Sequence, residues 1–309
     1  MTHRISLIVA TKDRPDDLKR LLDSLRDQTA GPAEIVVVDA SSEPVGQVIA
    51  EFPELTVLHL RHWPPSAAAQ RNAGIRACDP ASTLIGFADD DTTFEPQAFA
   101  NMLNFWEHAE PDVLGAAFNF RNLPRRGNSI LKHSALAERL GLYSARPGSV
   151  SLSGWQTVVG EITETQFVEW LPSGASIFRR EVFGKDVFDE FFQSYSYLED
   201  LDFSYTISRA GRLAIVADAG FSHFPSPVGR VSGRQFGRCE VRNRLYFVRK
   251  HRLSLARCYL GLGIRFGMSA CSALLHWDSN MLSRALGNIE ELVVQSAAQP
   301  TNAPTVFSR

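Results

Sequence analysis

The chain has 309 residues, 44% of them hydrophobic and 21% charged, which is close to the average of soluble globular proteins. That length allows one large domain or two ordinary ones. The formal net charge of −2 gives no bulk electrostatic attraction to nucleic acid or to an anionic membrane, so any basic character must be local. The four cysteines are scattered and none has zinc-site spacing, which indicates reduced thiols and a cytoplasmic protein.

Strand and helix signals alternate through the first half of the chain. Apolar runs predict strands at residues 5–10, 34–39, 56–60, 83–88 and 113–118. Helices are predicted between them at residues 15–28, 44–52, 66–78 and 96–108, with Ser66 as an N-cap and Pro96 in a first turn. This alternation indicates an α/β fold with a parallel sheet covered on both faces. Ligands of such sheets bind outside the carboxyl ends of the strands.

The second half of the chain is less regular. Strands are predicted at residues 167–171, 175–178 and 213–216, and helices at residues 130–140, 201–210 and 231–251. The first apolar run is too short for a secretory signal, and no uninterrupted apolar stretch reaches the length of a membrane span. We expect one domain over residues 1–252 and a helical extension over residues 253–309 with a frayed tail.

Three adjacent carboxylates, Asp89, Asp90 and Asp91, directly follow the fourth predicted strand. Their mutual repulsion is poorly screened at the end of a buried strand, so a bound cation would compensate it. Because side chains alternate along extended backbone, Asp89 and Asp91 should point the same way and Asp90 away from them. Mg²⁺ and Mn²⁺ typically take one or two protein carboxylates plus substrate phosphates. The run alone fits a metal site and a solvated acidic turn equally well.

Seven short segments together resemble the family 2 glycosyltransferases over roughly residues 4–250. They lie at residues 8–15, 36–42, 70–74, 87–91, 198–202, 221–223 and 242–244, and they include a DxD motif at 87–91 and an ED motif at 198–202. Each motif is weak alone, but their order and spacing are specific. The resemblance implies the GT-A fold, a Rossmann-like, mixed and mainly parallel sheet flanked by helices. It also implies an inverting, nucleotide-sugar-dependent enzyme.

The resemblance places the nucleotide-sugar donor along the first strands. Asp39 matches a residue that contacts the nucleobase, and a carboxylate there can accept an N–H of a uracil-type base. Thr11 and Arg14 belong to the turn that wraps the nucleotide, and Arg71 can pair with phosphate. Donor contacts are also assigned to Asp89 and Asp90. The structural alternative for Asp39 is that it caps the turn after its strand.

A divalent cation, Mn²⁺ or Mg²⁺, is the implied cofactor. The resemblance assigns Asp91, Asp89 and His223 to it, because His223 matches a histidine that often follows the ED motif. A lone histidine in a phenylalanine-rich stretch is otherwise more often a core residue.

An inverting transferase needs a carboxylate that deprotonates the acceptor hydroxyl as it attacks the anomeric carbon. The resemblance assigns that base to Asp200, and a helix start at this position would favour its ionised form. Glu199 and Trp170 are assigned to the acceptor side, with Trp170 stacking on a sugar face. The alternatives are that Glu199 and Asp200 only cap the helix and that Trp170 only fills the core.

The densest positive region of the chain runs from residue 230 to residue 252. Four of its arginines (Arg230, Arg234, Arg238, Arg242) recur every four residues, which places them on one stripe of a helix. A solvated helix face is the simplest interpretation, and the resemblance makes Arg242 and Arg244 candidates for contact with the diphosphate. RNA binding is a third interpretation, but no recognisable nucleic-acid motif accompanies the arginines, so we expect no nucleic-acid partner.

The predicted function is sugar transfer from a UDP-sugar, or from dTDP-rhamnose or a GDP-sugar, to a hydroxyl of a glycan or lipid-linked glycan. A surface or exopolysaccharide pathway is suggested by family analogy alone. A sugar nucleotidyltransferase is the competing enzyme, but residues 11–15 lack the glycine of a phosphate loop. A non-catalytic nucleotide- or glycan-binding module is the competing non-enzyme, and the two acidic motifs count against it.

The expected location is the cytoplasm. The apolar residues 253–294 carry Arg257 and Arg265, which disfavours a spanning helix. Peripheral contact with the inner face of the cell membrane, packing against the transferase domain and a homodimer interface all stay open for this stretch.

Overall fold

The computed structural model describes residues 3–123, 134–184, 187–192, 196–226, 228 and 231–297. The chain forms two compact units. The first comprises Met1–Arg126, Pro147–Ser149 and Val158–Gly229, and the second comprises Gly127–Arg146, Val150–Thr157 and Arg230–Arg309. Residues 230–252, which we predicted within the first domain, therefore group with the C-terminal helices in this division.

The first unit contains a nine-stranded mixed sheet. Its strands are β1 (Ile5–Thr11), β2 (Glu34–Asp39), β3 (Val57–Arg61), β4 (Leu84–Asp89), β5 (Thr92–Phe94), β6 (Val113–Phe120), β7 (Gln166–Val168), β8 (Ala175–Arg179) and β9 (Arg212–His223). The order is β3-β2-β1-β4-β8-β6-β9-β5, with β7 also paired to β9. The first four strands run parallel, as predicted, and β6 also runs parallel to β9. Antiparallel pairing enters through β8, β5 and β7.

Helices cover both faces of this sheet. They are α1 (Pro15–Arg26), α2 (Gly46–Ile49), α3 (Ala67–Ala77), α4 (Ala98–His108) and α6 (Glu199–Ile207). Alternate residues of β1 enter different cores: Leu7 and Val9 pack in the core that contains α1 and α4, and Ile8 packs in the core that contains α3 and α6. The α/β class and the mixed, helix-flanked sheet are thus as predicted.

Several local predictions were wrong. Helix α4 begins at Ala98 after an N-cap at Gln97, so Pro96 precedes the helix. Strand β7 ends at Val168, and the following residues up to Leu171 are not strand.

Ser66 caps α3 as expected, its side chain accepting from the backbone N–H of Ala69. Of the helix predicted at 130–140, residues 130–133 lie outside the described part of the chain.

The second unit contains α5 (Ala135–Arg139), α7 (Gly233–Lys250), α8 (Leu255–His276) and α9 (Ser279–Ala297). Helices α7 and α9 pack very closely, since a Cβ on Gly287 would lie 2.1 Å from the carbonyl oxygen of Arg234. Between the helices, the buried carboxylate of Glu240 pairs with Arg284 at 2.8 Å and with Arg265 at 3.3 Å. Burial alone would raise the pKa of Glu240, but the two arginines outweigh it and hold that pKa below its usual value.

Helix α8 contains Arg257 and Arg265, so it is not an uninterrupted apolar stretch. Its 22 residues are long and apolar enough to cross a membrane, judged by length and composition. The core helix of a protein outside the membrane can pass the same test, so length and composition do not place α8 in a bilayer.

Candidate functional site

The carboxyl ends of β1, β2 and β4 bring the predicted donor residues together. Thr11 is the register partner of Asp39, and Ala10 is the register partner of Asp89. The parallel register therefore sets three side chains from separate segments of the sequence at one edge of the sheet, as strand-end topology predicts.

Asp91 and His223 meet because β5 pairs with the end of β9. In that antiparallel pair Thr92 lies opposite His223. The Nε2 of His223 lies 2.9 Å from an Asp91 carboxylate oxygen, and the other Asp91 oxygen accepts from the backbone N–H of Ser226 at 3.0 Å. Burial opposes ionisation of both groups, yet their mutual attraction prevails: the pKa of Asp91 is lowered and that of His223 is raised.

Asp89, Asp91 and His223 form the candidate metal centre. One ligand atom from each side chain lies within 4.8 Å of the other two. Asp89 is the most exposed of the three aspartates, with 38% of its side chain accessible. Two carboxylates with one imidazole are donors that a divalent transition metal such as Mn²⁺ accepts, so these residues fit such an ion.

Asp90 lies outside this group of three, in the turn that follows β4. Its carboxylate accepts from the hydroxyl of Thr11 at 2.8 Å and from the guanidinium of Arg14 at 2.9 Å. Burial raises the pKa of Asp90 to about 6 although Arg14 and Thr11 favour its ionised form. Arg14 also donates to the carbonyl oxygen of Val228. The partly exposed Arg14 and the buried Thr11 and Asp90 thus form a polar group that fixes the turn after β1.

Arg71 links the two acidic motifs. Its guanidinium donates to Asp89 at 3.1 Å and to Glu199 at 2.7 Å, and it lies over the ring of Phe188. Arg71 itself is buried. Burial and the neighbouring Asp200 raise the pKa of Glu199 to about 8, against the opposing effect of Arg71. The Arg71 and Glu199 side chains therefore pair with each other, and any contact with a ligand would be additional to this pair.

Asp200 lies in the first turn of α6, next to Glu199. The residue before the helix, Leu198, has a left-handed backbone with φ of 78°, a conformation that is uncommon for a leucine and often marks functional sites. Asp200 accepts from the backbone N–H of Leu201 at 2.7 Å. Burial, reinforced by the charge of Asp89, raises the pKa of Asp200. A carboxylate with a raised pKa is a stronger base, which suits proton abstraction.

Asp39 is more enclosed than its predicted nucleobase contact requires. It is fully buried, and its carboxylate accepts from the backbone N–H groups of Ser41 and Val45 and from Arg61 and His59. These donors outweigh burial and lower the pKa of Asp39. In this structure Asp39 therefore acts as the cap of its turn. A nucleobase that contacts Asp39 would have to replace one of these four donors.

Three other predicted residues have defined surroundings. Trp170 is buried, with 6% of its surface exposed, which agrees with the core alternative. Arg244 is buried in the second unit, where it donates to Gln156 and lies over the ring of Trp155. Arg242 donates to the side chain of its neighbour Asn243. Stacking by Trp170 and phosphate contact by the two arginines stay predictions.

Sequence reasoning missed two residues that shape the site. The backbone N–H of Asp89 donates to the carbonyl oxygen of Gly174, and a Cβ on Gly174 would lie 2.8 Å from an Asp89 carboxylate oxygen. The buried amide of Gln70 donates to the carbonyl oxygens of Thr11 and Val38, which ties together the ends of β1 and β2. The segment 70–74 had drawn attention to Arg71, but no local signal indicated the partners of Gln70 or Gly174.

The sequence matches the model of the family "Glycosyl transferase family 2" over residues 6–184. Since that match covers more than half of its length, the chain belongs to family 2 of the glycosyltransferases. A curated relative named "Uncharacterized glycosyltransferase YwdF", from Bacillus subtilis (strain 168), is 33% identical over 108 residues. The aligned segment covers 35% of this chain and 40% of the relative's length.

Two solved structures share the fold. A fragment of S. aureus TarS, residues 1–349, aligns with a TM-score of 0.56 at 15% identity and covers 94% of this chain and 80% of the fragment. Mannosyltransferase PcManGT from Pyrobaculum calidifontis, solved with GDP-Man and Mn²⁺, aligns with a TM-score of 0.54 at 14% identity. The alignment covers 94% of this chain and 88% of PcManGT. At these identities the likeness establishes the GT-A fold alone.

Proposed function

We propose that this chain is an inverting, metal-dependent glycosyltransferase that moves a sugar from a nucleotide-diphosphate donor to a hydroxyl group. The observation that carries the proposal is the position of Arg71 between Asp89 and Glu199. One guanidinium thereby joins the carboxylate cluster suited to a metal and the helix turn that bears Asp200. An inverting transfer needs these two acidic sites side by side, one for the leaving group and one for the acceptor.

The residues of the site divide the chemical work. Asp200 takes the proton of the acceptor hydroxyl as that oxygen attacks the anomeric carbon. A divalent ion bound by Asp89, Asp91 and His223 would supply Lewis-acid stabilisation of the departing diphosphate. Glu199, held by Arg71, faces the acceptor side beside the base.

A UDP-sugar is the favoured donor and Mn²⁺ the favoured ion. The TarS fragment has been solved in complex with UDP-GlcNAc, and PcManGT with GDP-Man and Mn²⁺. GDP-sugars and dTDP-rhamnose therefore remain the donors to compare with UDP-sugars. The polar group of Thr11, Arg14 and Asp90 shapes the turn that would receive the nucleotide. The turn fixed by Asp39 would lie beside the nucleobase.

The proposed acceptor is a hydroxyl of a glycan or a lipid-linked glycan, within a surface or exopolysaccharide pathway in the cytoplasm. This part rests on family analogy.

The test is turnover of a panel of UDP-, GDP- and dTDP-sugars with Mn²⁺, with EDTA, and with glycan acceptors. We expect metal-dependent transfer that Asp200→Asn abolishes while nucleotide binding is nearly unchanged. Asp218→Asn is the matched control, because Asp218 is exposed in β9. Normal turnover by Asp200→Asn would show that the base is another residue.

The same panel, with nucleoside triphosphates and sugar phosphates added as substrates, separates the competing functions. A sugar nucleotidyltransferase would release pyrophosphate from a nucleoside triphosphate and a sugar phosphate. A non-catalytic module would bind nucleotide-sugars without turnover. Either result would replace the transferase proposal.

A further inference from the structure

We infer that the second unit docks on an anionic lipid surface through the exposed apolar side chains of α8 and α9. The inference concerns a surface outside the carboxylate site, so it stands or falls independently of the proposed transferase activity.

Helix α9 has a buried side and an exposed side. The buried side, with Ala285, Gly287, Asn288 and Glu291, lies where the helix packs against α7. The other side carries four apolar residues spaced four, three and four apart, which share one helix face. Their exposed fractions are Leu282 50%, Leu286 49%, Ile289 43% and Val293 65%. An apolar stripe of this length facing water marks an interaction surface.

The neighbouring helix α8 adds to this surface. Leu260, Leu274 and Leu275 are at least half exposed, and Trp277, which follows the helix, is 93% exposed. The two arginines of α8 do not interrupt its middle: Arg257 lies in the first turn, and Arg265 turns toward the buried Glu240 of α7 at 3.3 Å. A tryptophan at the end of an apolar helix face is typical of a membrane–water interface.

Charge selects lipid over a second copy of the chain. The second unit has 15 Lys and Arg residues against 5 Asp and Glu, a net charge of +10, whereas the first unit has 17 against 29. Exposed cations (Lys250, Arg252, Arg257) also lie just before and within the first turn of α8. Two such units would repel each other face to face, while anionic headgroups attract both the cations and the apolar side chains.

The docking is peripheral. Helix α8 would be about 33 Å long, enough to span a bilayer core. Spanning would separate it from α9, against which it packs, and would remove Arg265 from Glu240. Lying at the interface preserves these contacts and buries only the exposed side chains.

The experiment is co-sedimentation of the full chain with vesicles of phosphatidylcholine alone and of an equal mixture of phosphatidylcholine and phosphatidylglycerol. We expect binding to the anionic vesicles only. The triple variant Leu274→Ser, Leu275→Ser, Trp277→Ser should weaken it at least about tenfold. Arg252→Gln and Arg257→Gln should each weaken it roughly fivefold. Matched controls on the first unit are Leu58→Ser, in β3, and Lys19→Gln, in α1, which should bind like the unchanged chain.

Three results would overturn the inference. The first is absence of binding to the anionic vesicles, and the second is full binding by the triple variant. The third is that the unchanged chain binds no lipid but forms a dimer in light scattering, which the triple variant alone disrupts. The variants change exposed side chains, and unchanged thermal unfolding would show that they fold. Loss of transferase activity without loss of vesicle binding would count against the proposed function only.

Discussion

Arg71 holds a buried positive charge between Asp89 and Glu199, two carboxylates from distant parts of the chain. Removing one member of such a buried pair leaves an uncompensated charge, which costs several kcal/mol, whereas exposed pairs contribute little. We therefore expect Arg71 to contribute strongly to the stability of the site.

We predict that Arg71→Met lowers the free energy of unfolding by about 3 kcal/mol. Above about pH 8, where Glu199 is ionised beside Arg71, adding Glu199→Gln should recover part of the loss, because a neutral amide needs no partner charge. Urea denaturation of the four proteins of this double-mutant cycle above that pH measures the coupling. Arg4→Met is the control, since Arg4 pairs with Asp79 with 53% of its side chain exposed. Equal losses in Arg71→Met and Arg4→Met would contradict the bridging role.

The raised pKa of Asp200 predicts the acidic limb of the pH profile. A base must be ionised, so activity is lost as pH falls through the pKa of Asp200, and burial shifts that point upward. The midpoint of the acidic limb of kcat/KM should therefore lie above about pH 3.9, the ordinary pKa of an aspartate. Asp218→Asn should leave its position unchanged. A limb at or below the ordinary value would argue that Asp200 is not the base.

At the scale of elements, the pairing of β5 with β9 assembles the candidate metal centre. Strand β5 has three residues and was not predicted, because so short a run has no periodicity to read. Strand β9 was predicted to end at residue 216 but extends to His223. The sequence therefore indicated Asp91 and His223 as separate motifs, and the strand pairing places them 2.9 Å apart.

The approach of β8 to β4 makes a second prediction at this scale. A Cβ at Gly174 would lie 2.8 Å from an Asp89 carboxylate oxygen, so Gly174→Ala should displace that side chain. We expect Mn²⁺-dependent turnover to fall on the order of tenfold to a hundredfold, since small misplacements of catalytic groups are costly.

The control for this substitution is Gly184→Ala, because a Cβ at Gly184 meets nothing within 4 Å. Thermal unfolding of both variants separates a local shift from a loss of fold. Unchanged turnover in Gly174→Ala would mean that the position of Asp89 does not limit the reaction.

At the scale of the whole molecule, the two units differ in charge and in content. The first is acidic and holds the carboxylate residues of the candidate site, and the second is basic and helical. The net charge of −2 conceals this division, because the excess charges of the two units nearly cancel.

This division predicts where a bound nucleotide stabilises the chain. UDP with Mn²⁺ should slow amide hydrogen exchange in β4, α6 and β9 and leave α9 unchanged. At a hundred times its Kd a ligand adds about 2.7 kcal/mol to the folded state. UDP with EDTA is the control and should give weaker protection. Slowing in α9 equal to that in β4 would contradict a site built on the carboxylates of the first unit.

The sequence by itself determined the family and the parallel strands of the first half. These features depend on local periodicity and on the order of motifs along the chain. Only the tertiary structure decided that Asp39 is enclosed by four donors, that Arg71 joins the two acidic motifs, and that β5 brings Asp91 to His223. Such contacts form between segments far apart in the sequence, and the burial that sets their pKa values exists only once the chain has packed.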